Sequence, residues 1–168
     1  MQLINDLLNF SRYQNGLQKL TLGTCDVTDL LEHARARFAE LANAQHIELL
    51  VEAQPELPRL YADQVQLERV LDNLLGNALR HTAEGGQIRL QARRHGERVI
   101  ISVEDNGEGI AYGQQGRIFE PFVQVGRKKG GAGLGLALCK EIVQLHGGRM
   151  GVYSRPGQGT QFYMALPL

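Results

Sequence analysis

Leu67-Glu68-Arg69-Val70-Leu71-Asp72-Asn73-Leu74-Leu75-Gly76-Asn77-Ala78-Leu79-Arg80-His81 is the stretch around which this chain organises itself. Leu67, Val70, Leu71, Leu74, Leu75, Ala78 and Leu79 recur at helical spacing and make one apolar face. Asp63 stands upstream as an N-cap, so the spacing predicts a helix from there to about His81. Asn73 and Asn77 are four apart and stack on one flank, and Arg80 and His81 extend that polar stripe. Taken alone, the stripe is what any solvated helix flank looks like. It also fits a magnesium ion that carries phosphates. Magnesium takes hard oxygen ligands and keeps waters and phosphate oxygens in its shell, so one amide oxygen suffices from the protein.

Upstream, Gln2 to Gln14 reads as an amphipathic helix with Leu3, Ile4, Leu7, Leu8 and Ser11 at helical spacing, ended by Asn15-Gly16. A helix this short is marginal alone, so it is expected to pack on something. Leu17 to Leu22 alternates enough for a strand. Thr24 to Asp29 offers caps for a helix to about Ala44, and Ile47 to Val51 reads as a strand closed by Pro55 and Pro58. Downstream, Gln87–Arg94 and Arg98–Glu104 read as a hairpin about His95-Gly96-Glu97. Leu134 to His146 reads as a helix stopped by Gly147-Gly148, with His146 serving its end. Arg149–Ser154 and Thr160–Pro167 close as a second hairpin. Antiparallel pairs with three helices predict an α+β two-layer sandwich, helices on one face of a mixed, mainly antiparallel sheet.

Most of the 20 glycines fall between Gly85 and Gly159, and they punctuate chemistry-bearing turns. Asp105-Asn106-Gly107-Glu108-Gly109-Ile110 follows a strand; its residues suit a tight turn. They equally suit a pocket where Asp105 accepts from an adenine amino group and the glycines admit the base. Gly131-Ala132-Gly133-Leu134-Gly135-Leu136 leads into a helix whose N-terminal amides and dipole favour an anion. It is neither a Walker A loop nor a dinucleotide fingerprint: no Gly-Lys-Ser/Thr follows, and Leu138 stands where the third small residue belongs. Arg117-Ile118-Phe119-Glu120-Pro121-Phe122, with Gly126-Arg127-Lys128-Lys129-Gly130, reads as a hinged lid or as an exposed loop with an apolar anchor. Gly157-Gln158-Gly159-Thr160 alone is a hairpin turn. His33, His46 and His95 belong to no constellation.

In this order, the five pieces resemble the five boxes of sensor histidine kinases, over roughly Asp26 to Leu168. Leu3 to Gly16 is similar to the end of the second helix of that family's dimerisation hairpin. The resemblance implies a Bergerat ATP-binding fold, with residues 1–20 as hairpin end and linker and 21–168 as the catalytic domain. It implies that Asn77 holds Mg2+, that Asn73 supports the phosphates, and that Arg80 and His81 neighbour phosphates or ribose. Asp105 takes the adenine amino group with Gly107, Gly109 and Ile110 beside it, and Thr160 lies near the same end. Arg117 approaches the γ-phosphate. Gly131, Gly133, Leu134, Gly135 and Leu136 line the triphosphate and the start of the last helix, and Phe119 and Phe122 belong to the lid. The implied reaction is transfer of the ATP γ-phosphoryl group to a histidine, then to a response-regulator aspartate, by a homodimeric parent.

None of the five histidines has the acidic neighbour, Arg and Pro of that family's acceptor, so this chain is expected to bind ATP without phosphorylating itself. Ala132 replaces the usual Thr or Ser. Gly113 and Gly116 each cost a helix about 1 kcal/mol relative to alanine, so the segment before the lid is expected to be loose without nucleotide. Competing readings are a water-using ATPase of the same fold, which places a glutamate where Asn73 stands, a serine kinase of that fold, and a non-enzymatic interaction module.

Bulk properties agree with a soluble domain. Eighteen basic residues balance eighteen acidic ones, which gives no support for nucleic acid as partner. The 168 residues suit one core, and 43% hydrophobic content argues against disorder. Two distant cysteines argue against a disulfide framework and for a reducing compartment. No apolar run reaches the roughly 18 residues of a membrane span, and the N-terminus lacks a signal-peptide pattern. A cytoplasmic location is expected, on the inner side of the membrane if the parent is an inner-membrane sensor.

Overall fold

The computed structural model describes residues 2–16, 18–121 and 135–168. In chain order the elements are α1 (Gln2–Gln14), β1 (Gly23–Cys25), α2 (Val27–Ala44), β2 (Glu48–Ala53), β3 (Leu60–Ala62), α3 (Gln64–His81), β4 (Gln87–His95), β5 (Arg98–Asp105), α4 (Gly135–Leu145), β6 (Arg149–Arg155) and β7 (Gly159–Pro167). A 3-10 turn at Tyr112–Gln114 lies between β5 and α4.

Five strands form one sheet in the order β2-β4-β5-β7-β6. β2 runs parallel to β4, with α3 in the crossover, and every other neighbouring pair is antiparallel. Register then decides what faces the core. Leu90 sits opposite Val103, and Val103 opposite Phe162, so these side chains share one face. All three are buried, in one cluster with Leu31 of α2, Leu71 and Leu74 of α3, and Leu138 and Ile142 of α4. The result is the α+β sandwich expected, with α2, α3 and α4 on one side of a mixed sheet. The opposite face is polar: Gln91 donates to Glu52, Ser102 to Gln91, and Gln161 to Ser102.

The two long helices start where their caps predict. Asp26 accepts from the Asp29 N–H at 3.0 Å, and Asp63 from the Gln66 N–H at 3.3 Å. The expected apolar stripe of α3, Leu67 to Leu79, is buried throughout. At the far end of α4, His146 Nε2 accepts the Asp63 N–H at 3.0 Å. Its Nδ1 must then carry the proton, donated to the Ile142 carbonyl at 2.9 Å. His146 thus ends α4 and ties it to the start of α3.

Three features differ from expectation. Residues 18–22 form no strand; the strand is β1, which begins with the next residue, Gly23, and pairs with β3. The expected strand lacks a partner because β3 is only three residues long, and the Thr21 N–H goes instead to the Asp63 carboxylate at 2.8 Å. β3 itself follows a proline-punctuated stretch and was not foreseen. Third, α1 does pack on the body, and among its described side chains the contact is made by the aromatic residues of its second half. Phe10 and Tyr13 are buried, Phe10 against Ala137 of α4, whereas Leu7 and Leu8 are 47% and 56% exposed. Residues three apart share a helix face, and two aromatic rings bury more area than the leucines beside them. The Tyr13 hydroxyl donates to Gln66 Oε1, in the first turn of α3.

Candidate functional site

At the end of α3, four separate segments meet around one cavity. α3 contributes Asn77 and His81; the end of β5 and its loop contribute Asp105, Gly109 and Ile110. Leu136 comes from the first turn of α4, and Thr160 and Phe162 from β7. The helical period puts Asn77 and His81 one turn apart on the same flank, and the β5–β7 register sets Asp105 opposite Thr160.

Asp105, in the cavity wall, is 6% exposed. Its Oδ1 accepts the Gly107 N–H at 2.9 Å. Burial pushes the Asp105 carboxyl above the usual carboxylate range. Backbone hydrogen bonds from Gly107 and Thr160 and the electrostatic influence of His81 act the other way, and Glu104 adds to the rise. A desolvated carboxylate with only part of its acceptor capacity filled suits a ligand that brings an N–H donor.

Thr160 is set by Ser154, a residue the sequence reading did not single out. The Ser154 hydroxyl donates to the Gly159 carbonyl at 2.9 Å and accepts the Ile110 N–H at 2.8 Å. Its one proton is used, so in the 2.9 Å contact between the two hydroxyls Thr160 is the donor. Thr160 therefore keeps its oxygen lone pairs for the cavity. Gly159 makes this turn possible: its φ is +120°, and a Cβ there would lie 2.0 Å from the Asp105 carbonyl oxygen.

Asn73 lies one turn before Asn77, and its Oδ1 is 3.5 Å from where a Cβ on Gly135 would be. The first residue of α4 thus abuts the Asn73 amide. Arg80 is exposed and donates to Asn77 Oδ1 at 3.4 Å, so a cationic group already faces that oxygen. Asn77 fits a magnesium site in donor type and position: a hard neutral oxygen at the cavity wall, where phosphate and water would supply the remaining ligands.

The other anticipated residues fall differently. Gly107 packs under the His81 carbonyl rather than at the cavity wall. Phe119 packs edge-on against the cavity-lining Phe162, ring centroids 6.1 Å apart. Arg117 is exposed, pairs with Glu120 at 3.4 Å and does not line the cavity. Where a short helix would sit, Gly113 is in the 3-10 turn. Phe122, Gly131, Ala132, Gly133 and Leu134 lie outside the described residues. His33, His46 and His95 are exposed, in keeping with their having no part in the site.

Residues 62–168 match the family of histidine kinase-, DNA gyrase B-, and HSP90-like ATPases. The alginate biosynthesis sensor protein KinB of Pseudomonas aeruginosa is 69% identical over 166 residues, covering 99% of this chain and 28% of that protein. The chain therefore spans less than a third of the length of that relative. Among solved structures, full-length ShkA in complex with AMPPNP superposes with a TM-score of 0.91 at 35% identity, over 99% of this chain and 35% of that one. The nucleotide-free catalytic domain of the histidine kinase ThkA superposes at 0.80 with 28% identity, over 88% of this chain and 98% of that one.

Proposed function

The chain belongs to the histidine kinase-, DNA gyrase B- and HSP90-like ATPase family and is the ATP-binding catalytic domain of a histidine kinase; from that premise we propose that it transfers the γ-phosphoryl group of Mg-ATP to a histidine on a dimerisation hairpin, for onward passage to a response-regulator aspartate. The observation that carries this reading is the single cavity shared by Asn77, His81, Asp105 and Thr160.

Asp105 accepts the adenine amino group, with Thr160 beside it and Gly109 and Ile110 lining the same cavity. Asn77 holds Mg2+, Asn73 and Gly135 border the triphosphate, and Arg80 and His81 neighbour the phosphates or ribose. Magnesium, when bound, neutralises charge on the phosphate oxygens. Phosphoryl transfer asks a protein mainly for positioning and charge stabilisation, and these residue types supply both. Arg117, with Phe119, Phe122 and the glycines at 131 and 133, belongs to a lid that excludes competing water. Asn73 favours a kinase over a water-using ATPase, because an amide takes no proton from an attacking water. The acceptor histidine is the nucleophile. Residues 1–20 are the end of the dimerisation hairpin and its linker, residues 21–168 the catalytic domain. The parent is a homodimer with this domain in the cytoplasm.

Calorimetric titration with Mg-ATP tests the reading. Binding lost in Asp105→Ala, and weakened mainly in its magnesium dependence in Asn77→Ala, is the expected result. No binding by a folded wild-type chain leaves the interaction-module reading instead.

A further inference from the structure

The end of α3 and the loop after β5 are joined twice at one place. His81 Nδ1 lies 2.6 Å from Glu108 Oε1, with the side chains only 15% and 28% exposed. Beneath this contact the Glu108 N–H donates to the His81 carbonyl at 3.3 Å. Gly107 is pressed on that same carbonyl, where an added Cβ would lie 2.1 Å from the oxygen. On its other side, the Glu108 carbonyl accepts the Gly157 N–H at 2.7 Å, from the turn between β6 and β7. Glu108 is thus anchored from α3 and from the second hairpin, and its backbone has little freedom.

This anchoring determines the state of the histidine ring. An ionised carboxylate only accepts, so the proton at the contact belongs to Nδ1. Nε2 is then the ring nitrogen available to another partner. His81 stands between two hollows: it lines the cavity with Asn77 and Asp105, and it lines an outer cleft with Arg80, Glu84 and Glu108, whereas Glu108 lines only the outer cleft. The carboxylate therefore meets the ring from the cleft side. The arrangement is that of a second residue orienting a histidine toward a ligand, as carboxylates do behind metal-bound and catalytic histidines.

We propose that Glu108 is a positioning residue for the nucleotide: it holds the Nδ1 proton of His81 and turns Nε2, the acceptor nitrogen of the ring, toward a ribose hydroxyl of the bound ATP. This rests on the nucleotide reading of the cavity. Glu108 acts through His81 and touches no substrate itself. A carboxylate that merely braced its loop would act independently of the imidazole, and that difference is measurable.

The test is a double-mutant cycle on Mg-ATP affinity with Glu108→Ala, His81→Phe and the double variant. Each single change is expected to weaken binding roughly tenfold, the scale of a charge-assisted hydrogen bond. The double variant is expected to bind no worse than His81→Phe alone. Unchanged affinity in Glu108→Ala, or effects that multiply, overturns the proposal. Ring 15N spectra of the unmutated protein give a readout free of folding defects. His81 is expected to show a protonated Nδ1 and an Nε2 resonance that moves when ATP is added; an Nε2 indifferent to ATP counts against it. Asp105→Ala separates the two ideas. If it abolishes binding while the cycle is additive, the nucleotide site stands and the role of Glu108 falls; if it binds like wild type, the nucleotide reading falls first.

Discussion

Asp63 holds Thr21 with one carboxylate oxygen and caps α3 with the other. Oδ2 accepts the Thr21 N–H at 2.8 Å, and Oδ1 accepts the Gln66 N–H at 3.3 Å. The segment leaving α1 and the start of the site-bearing helix therefore share one side chain. Asp63 is 5% exposed, and removing its carboxylate takes the acceptor from both N–H groups at once.

Asp63→Ala is expected to cost about 2 kcal/mol, the upper end for loss of an N-cap, because two donors lose their acceptor together. Asp63→Asn keeps one acceptor oxygen and should fall between. Urea unfolding of the three proteins gives the values. A loss in Asp63→Ala of only a few tenths of a kcal/mol would show that the Thr21 contact contributes nothing.

Asp105→Asn is expected to stabilise the nucleotide-free protein at neutral pH. The carboxyl pKa is raised by burial, so the fold favours the neutral acid. That contribution is fully present below the unfolded value of about 3.9 and is lost as pH rises through the folded one. At neutral pH the ionised, desolvated group is thus a cost that the amide escapes. The melting-temperature gain should grow as pH rises through the folded pKa and then level off. A variant less stable than wild type at pH 7 contradicts this.

Tyr13 gives the opposite pH window. Burial pushes its phenol up to about 12; the Arg69 charge opposes this and Asp63 adds to it. Stability from the neutral hydroxyl is fully present below the unfolded value of about 10 and is lost as pH rises through about 12. Tyr13→Phe should cost about 1 kcal/mol at neutral pH through the lost bond to Gln66. Its unfolding should also lack part of the wild-type decline above pH 10. Parallel alkaline profiles for the two proteins would sink the idea.

Gly107→Ala places a methyl against the His81 carbonyl. The obstacle is backbone at the end of a helix, so the loop must move. A cost of about 2 kcal/mol is expected, typical of overpacking, together with weaker ATP binding. Gly96→Ala, in the open β4–β5 turn, has nothing within 4 Å and should leave ATP affinity unchanged despite its positive φ. Equal ATP affinity in the two variants would argue against the close contact.

Local signals in the chain were reliable where the structure is local. Asp26 and Asp63 announce their helices because a cap acts within three residues, and the leucine stripe of α3 needs only its own period. Asn77, His81, Asp105, Gly109, Ile110, Leu136 and Thr160 could be nominated from motif order, and the structure brings them to one cavity. Residues whose part depends on another strand or turn were invisible. Phe162 and Ser154 matter because register sets them beside Val103 and Thr160, and Glu108 because a turn delivers it to the end of α3. β3 exists only as the partner of β1, and nothing in Leu60-Tyr61-Ala62 alone declares it.

The place of β7 bears on how the domain is made. The last strand is not at an edge: it lies between β5 and β6, and it brings Thr160 and Phe162 to the cavity. On the ribosome, β6 emerges with no neighbour to pair with, and the cavity stays open on one side until the final strand inserts. Nucleotide is not expected to template this domain before β7 has been made. ATP meets a finished site or none, and a nascent chain stalled anywhere before residue 160 should show no affinity for it.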